Sequence, residues 1–146
     1  MLDCKKDVAC HIFFNSLILH NRYAISTDKV KEIIKNEQST VVPNSPDWVE
    51  GLINLRGNIV TLLNLSKLLQ HDTTMCYNNI IILNNDDDKI GLLIGNVDQV
   101  LDLEEKDIQK ITDEKKSEFT GIIQIDEEIV NMIDIEILLT KNEGLI

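Results

Sequence analysis

The stretch Gly51 to Leu69, GLINLRGNIVTLLNLSKLL, returns without a gap as Gly121 to Leu139, GIIQIDEEIVNMIDIEILL. Six of 19 positions are identical: Gly51/Gly121, Ile53/Ile123, Ile59/Ile129, Val60/Val130, Leu68/Leu138 and Leu69/Leu139. Five more exchange one large aliphatic side chain for another, and Asn54/Gln124 and Asn64/Asp134 keep polar groups in step. Self-similarity at a fixed spacing marks a duplicated unit, and it decides the fold before any motif is considered.

Each copy reads as strand, tight turn, strand, short helix. Leu52 to Leu55 is apolar, Arg56-Gly57-Asn58 supplies the turn, and Ile59 to Leu63 resumes the strand. Asn64 then caps a short helix carrying Leu65, Leu68 and Leu69, and Asp134 does the same for Ile135, Leu138 and Leu139. A weaker echo precedes each copy: Tyr23-Ala24-Ile25 through Val30 and Ile33 matches Ile90-Gly91-Leu92 through Val97 and Val100, at an offset of 67 rather than 70. The duplicated unit is therefore about 65 to 70 residues long. Ile80 to Leu83 and Lys89 to Ile94 read as strands flanking a polar hairpin tip, Asn84 to Asp88. Val30 to Ile34 has a spacing that suits either a helix turn or a strand. The pattern alone predicts two small β-barrels packed side by side.

Composition agrees with layered β structure. The 146 residues include 22 Ile, 18 Leu and 9 Val, while aromatics are only 4%; a chain of this size can bury roughly 70% of its unfolded surface. The formal charge of -11 is uneven: residues 1 to 70 carry 8 Lys/Arg against 7 Asp/Glu, and residues 71 to 146 carry 6 against 18. An acidic second half and few aromatics disfavour nucleic acid and anionic lipid, so protein partners are expected. Cys4, Cys10 and Cys76 form no CxxC pair and are read as reduced thiols. No apolar run has the 18 residues or more that a membrane span needs, and Asp7, His11, Asn15 and Ser16 interrupt the one stretch that resembles a signal peptide.

Catalytic and metal chemistry find little footing. His11, His20 and His71 have no Ser, Cys or Asp at a recognisable spacing, and no P-loop, GxSxG or dinucleotide fingerprint occurs. Asp86-Asp87-Asp88 lacks the spacing of a calcium loop and reads as a charged tip guarding a sheet edge. No enzyme activity, cofactor or metal is expected.

Two stretches resemble the CheW family of chemotaxis coupling proteins. One is Val30-Lys31-Glu32-Ile33-Ile34, a VxEI pattern after Tyr23-Ala24-Ile25; the other runs from Val42 to Val60 and is similar to the family signature VPxxPxxVxGLxNLRGxIV. Gly95-Asn96-Val97-Asp98-Gln99-Val100 resembles the GxVxxV segment, and the likeness spans about residues 11 to 140. Physical roles accompany the motif. Pro46 suits the first turn of a short helix Asp47 to Glu50, Gly51 can end that helix in the left-handed conformation, and Arg56-Gly57 makes the sharp return. The sequence departs from the family at Thr61, where Pro is usual, and at Glu127-Glu128, a turn without Gly.

The resemblance implies a mainly β fold of two packed small five-stranded β-barrels with a few short helices. Residues 1 to 146 would form a single domain of two intimately packed subdomains, one repeat segment at 51 to 69 and the other at 121 to 139. It implies a cytoplasmic adaptor, recruited to membrane-associated receptor arrays, that links the regulatory domain of the histidine kinase CheA to the hairpin tip of chemoreceptors. A CheW-like scaffold or array filler in a non-chemotactic signalling complex is the alternative. Carried over by motif position, Val30, Glu32 and Ile33 lie on a kinase-facing edge, Arg56 and Gly57 lie near the subdomain junction, and Val97 and Val100 are the second-barrel counterparts. Arg56 is either a directed contact or an internal brace between barrels, and Trp48 either packs against a barrel or anchors a partner.

Overall fold

The computed structural model describes residues 8–16, 21–69, 77–84, 89–111, 118–125 and 127–142, with the backbone alone for 8–16, 21, 105, 141 and 142. These residues form β1 (Val8–Ser16), β2 (Asn21–Ser26), β3 (Val30–Lys35), β4 (Val49–Leu55), β5 (Asn58–Asn64), α1 (Leu65–Leu68), β6 (Asn79–Leu83), β7 (Ile90–Ile94), β8 (Asn96–Glu104), β9 (Gln109–Lys110), β10 (Phe119–Ile125), β11 (Glu128–Ile133) and α2 (Ile135–Asn142). Val30 to Ile34 is strand, so β-branched Val and Ile take the pleated form that suits them.

The strands make two sheets, one of five in the order β3-β6-β7-β5-β4 and one of six in the order β8-β1-β2-β11-β10-β9. Each contains one parallel pair, β5 with β7 and β2 with β11, among antiparallel neighbours. Removing the two-residue β9 leaves the same order of equivalent strands in both sheets. Even β9 has a counterpart, the isolated bridge between Thr40 and Leu52. Neither sheet is one half of the chain, because the halves exchange strands: β1 and β2 join β8 to β11, while β6 and β7 join β3 to β5. The echo keeps its register: Tyr23 pairs with Asn131, and Ile90 pairs with Thr61, the repeat partner of Asn131.

Three apolar clusters follow from this topology. Ile53, Val60, Leu62, Ile80, Ile82 and Leu93 fill the concave side of the five-stranded sheet, with Ile34 of β3 and Leu55 of β4 packed against them. The two edge strands thus share one interior, and the sheet curls. Ala24, Leu103, Ile123 and Val130 play the same part in the six-stranded sheet. A third and larger cluster joins the sheets, taking Tyr23 and Ile25 from β2, Leu63, Ile81 and Leu92 from the other sheet, and Leu68 and Leu138 from the helices. Burying each Leu or Ile contributes roughly 1.5–3 kcal/mol, so this shared layer binds the sheets firmly.

Asp47 to Glu50 does not form the expected helix. Val49 N donates to the Pro46 carbonyl at 3.0 Å, closing a single turn, and β4 then begins at Val49. The Trp48 carbonyl accepts from Asn64 N at 2.8 Å. With its carbonyl held by the sheet and its side chain in the shared core, Trp48 cannot propagate a helix, and four residues are too few to nucleate one alone. Gly51 accordingly lies inside β4 rather than at a helix end. A side-chain carbon there would sit 2.5 Å from the Thr40 carbonyl oxygen, so the bridge between Thr40 and Leu52 requires glycine. The two helix caps are as expected: Asn64 Oδ1 accepts from Lys67 N at 3.2 Å, and Asp134 Oδ1 accepts from Ile137 N at 3.1 Å.

Candidate partner-binding surfaces

The β4–β5 hairpin closes through Arg56 and Gly57, with φ of 50° and 85°. Two positive φ angles in a two-residue loop match the right-handed twist of the strands, and Gly57 takes its angle without steric cost. Gly57 N donates to Asn54 Oδ1 at 2.9 Å, and Lys89 Nζ donates to Asn58 Oδ1 at 2.7 Å, so the tip is held in place. From this tip the Arg56 guanidinium pairs with the Glu32 carboxylate. Glu32 stands on β3, at the opposite edge of the same sheet. The ion pair therefore ties the two ends of the curled five-stranded sheet together; it is not a brace between the two sheets. The Arg56 side chain remains 64% exposed, leaving guanidinium hydrogens able to donate to a partner carboxylate or carbonyl.

The other residues assigned to partner binding fall into two groups. Val30, Ile33 and Val97 are half-buried against the shared core, where they support the edges from behind. Val100 stands on β8 and is 53% exposed. Glu32, Arg56 and Gly57 are thus brought together, while Val100 belongs to a separate edge. Trp48 is buried in the shared core, which removes it as an exposed anchor.

The ion pair at the junction of the sheets is a different one. Lys29, in the 3-10 turn Thr27–Lys29 between β2 and β3, donates to Glu136 Oε1 of α2 at 2.5 Å. The hydrogen bond to Glu136 holds the Lys29 ammonium above its usual pKa, slight burial opposes this, and the charges of Glu136, Asp28 and Asp134 add to it. In the six-stranded sheet Arg22 joins Asp98 on β8, at 3.3 Å, to Glu128 on β11, at 2.7 Å.

Sequence reasoning passed over two exposed apolar pairs. Ile59 and Ile129 are 58% and 61% exposed at repeat-equivalent positions, and Val41 and Ile111 are exposed 70 residues apart. The available signal was strand alternation: in both repeats the residue after the tip's polar position precedes a buried valine, Val60 or Val130, and so faces outward. Among the described residues no group of three His, Cys, Asp or Glu could hold a metal, and no helix is long and apolar enough to cross a membrane. Cys4, Cys76, His20, His71 and Asp86-Asp87-Asp88 lie outside the described residues.

A duplicated β module whose polar residues converge on edges and hairpin tips has the build of a protein-binding adaptor. The model of the CheW-like domain family matches residues 18–143, and the chain belongs to that family. Chemotaxis protein CheW of Thermotoga maritima is 30% identical over 128 residues, covering 84% of this chain and 85% of that protein. Chemotaxis protein CheW of Klebsiella aerogenes is 31% identical over 130 residues, covering 85% and 78%. The crystal structure of scaffolding protein TtCheW from Thermoanaerobacter tengcongensis matches with a TM-score of 0.80 at 24% identity, over 94% of this chain and 97% of that one, which speaks for the fold. The family places the chain among the chemotaxis coupling adaptors.

Proposed function

We propose that this chain ties chemoreceptors to the histidine kinase CheA, binding the kinase's regulatory domain on its strand edges and the hairpin tip of a receptor near the groove between its subdomains. It acts as one domain, without cofactor or reaction of its own, in the cytoplasm beneath the receptor array. Its mechanism is positional: holding kinase and receptor in a fixed relation lets a change in receptor packing shift the kinase between activity states. The observation that carries this reading is the meeting of Glu32, Arg56 and Gly57, since Arg56 pairs with a carboxylate 24 residues away and still presents most of its guanidinium to solvent. Val30, Ile33, Val97 and Val100 supply the apolar parts of the same two edges.

The test is the kinase activity of cognate CheA with receptor fragments, with and without this chain. Wild type should activate the kinase and Arg56→Ala should not, while the variant's unfolding free energy stays within about 0.5 kcal/mol of wild type, as for an exposed position. Full activation by Arg56→Ala would remove the tip from the contact surface. Loss of activation accompanied by a large loss of stability would make Arg56 a structural brace instead.

A further inference from the structure

Each curled sheet is laced across one mouth. In the five-stranded sheet the lace is direct, from Arg56 at the tip to Glu32 on the outer strand β3. In the six-stranded sheet the tip carries Glu128 and the outer strand β8 carries Asp98, and Arg22 of β2 stands between these two carboxylates. Its Nη1 meets Glu128 Oε2 at 2.7 Å and its Nε meets Asp98 Oδ2 at 3.3 Å, so different nitrogens of one guanidinium serve the two acids. Arg22 lies two residues before Ala24 and Glu128 two before Val130, so strand alternation turns both toward the interior that Ala24 and Val130 fill. The Arg22 side chain is only 16% exposed, and an ion pair sheltered to that degree is screened less than one in open water.

Asp98 holds a special place on its strand. The pairing of β8 with β1 passes from Val97 opposite Phe14 to Gln99 opposite Phe13, which makes Asp98 the extra residue of a β-bulge. A bulge bends its strand and re-aims the side chains around it, here Val97 just before it and the exposed Val100 two residues after it. Because β8 ends the sheet, the bulge has a strand on one side alone, β1. We infer that Arg22 is a positioning residue for the second partner-binding edge: by tying Asp98 to the β10–β11 tip, it fixes the shape of the bulge and with it the presentation of Val97 and Val100. The inference rests on the proposed function for the partner of that edge, the kinase's regulatory domain. Arg22 acts through Asp98, from behind the edge. A lysine cannot replace it, because a single ammonium lacks the planar fork that serves two carboxylates in fixed directions.

The test compares the full chain with Arg22→Lys, which keeps the charge and the stem, and with Glu128→Gln, which leaves β8 and Arg22 in place but weakens one anchor of the guanidinium. Amide hydrogen exchange followed by NMR reads the edge without any partner, and calorimetric titration with the regulatory domain of cognate CheA reads its use. Arg22→Lys should speed exchange at the β8 amides of residues 97 to 101 and weaken the complex about threefold to tenfold, as for a loss of preorganisation. Glu128→Gln should do both to a lesser degree. In a Val100→Ala background Arg22→Lys should weaken binding hardly further, because losses that act through one contact do not add. General destabilisation would instead speed exchange throughout both sheets and add in full to Val100→Ala, and either result would overturn the inference. So would unchanged exchange at β8 in Arg22→Lys, or faster exchange there with unchanged binding. Failure of the wild type to bind the regulatory domain would overturn the proposed function and, with it, the role assigned to this edge; the exchange measurement, which contains no kinase, tells that failure apart from a failure of Arg22 to hold the bulge.

Discussion

The two hairpin tips share a left-handed residue at one equivalent position, Gly57 and Glu127, and differ in their chemistry. Arg56-Gly57-Asn58 closes β4–β5 with a glycine at φ 85°, while at the equivalent place in β10–β11 Glu127 takes φ 69° and Glu128 follows it. The first tip is tied down by Lys89 and reaches Glu32 through a guanidinium; the second is tied down by Arg22, which holds the carboxylate of Glu128. Lys89 and Arg22 are themselves equivalent under the offset of 67. Inside the sheets nothing comparable has drifted, and β4 and β10 bury the same positions in the same order. Packing at close to crystal density penalises a change of even one methylene, whereas a solvated charge can be reversed at little cost, so the duplicated unit kept its interior and was free to differentiate its rim.

The largest expected effect tests whether the shared core unites the sheets. Leu138 of α2 is fully buried and its repeat partner Leu68 of α1 almost so, both within the cluster that joins them. Leu138→Ala should cost about 3–4 kcal/mol and Leu68→Ala slightly less, within the range for Leu truncation in cores. Urea unfolding should remain one transition in both variants when followed by Trp48 fluorescence and by circular dichroism. Two separated transitions would mean that the sheets fold independently.

The repeat was readable because it lies in buried positions, and its apolar identities carry the strand-turn-strand-helix plan directly. Strand exchange was not readable, because alternation reports which face a residue takes and says nothing about which neighbour it pairs with. The helix expected at Asp47 to Glu50 failed for a related reason: Pro46 and Gly51 are local signals, and the hydrogen bond from Asn64 to the Trp48 carbonyl is a long-range one. The site was partly readable. The motif supplied Glu32 and Arg56 separately, but only the curl of the sheet makes them partners.

Helix caps give the next comparison. Asn64 and Asp134 cap α1 and α2 alike, but the Asn64 side chain is buried and its amide nitrogen also donates to the Tyr77 hydroxyl at 3.0 Å. Removing a buried amide strands a second group, so Asn64→Ala should cost about 2 kcal/mol. Asp134→Ala should cost about 1 kcal/mol, the ordinary value of a cap. Equal losses in chemical denaturation would show that the Tyr77 contact adds nothing.

The turns come third. Glu127→Gly relieves a left-handed residue and should stabilise the chain by up to about 1 kcal/mol, reduced somewhat by the greater freedom glycine gives the unfolded chain. Gly57→Glu should destabilise by a similar amount. If the two substitutions shift the unfolding midpoint in the same direction, the turns are not equivalent and the comparison fails at its most local point.

The smallest effect concerns an ion pair whose equivalent positions on the other side are uncharged. Lys29 pairs with Glu136, whereas the positions equivalent to them are Asn96 and Ser66 and carry no charge. The carboxylate raises the Lys29 pKa, so the folded state holds this proton more tightly than the unfolded state does. The contribution is therefore fully present below the unfolded lysine pKa and disappears as the pH climbs through the raised value, past about 10.5. Both side chains are well exposed, and water and salt screen such a pair to less than about 1 kcal/mol. Lys29→Met should accordingly lower the urea midpoint slightly at neutral pH, and the gap between variant and wild type should close in alkaline buffer and narrow in high salt. A gap that persists through both changes would trace to the lysine's methylenes packing at the junction rather than to its charge, and the asymmetry between the two sides would then be one of shape.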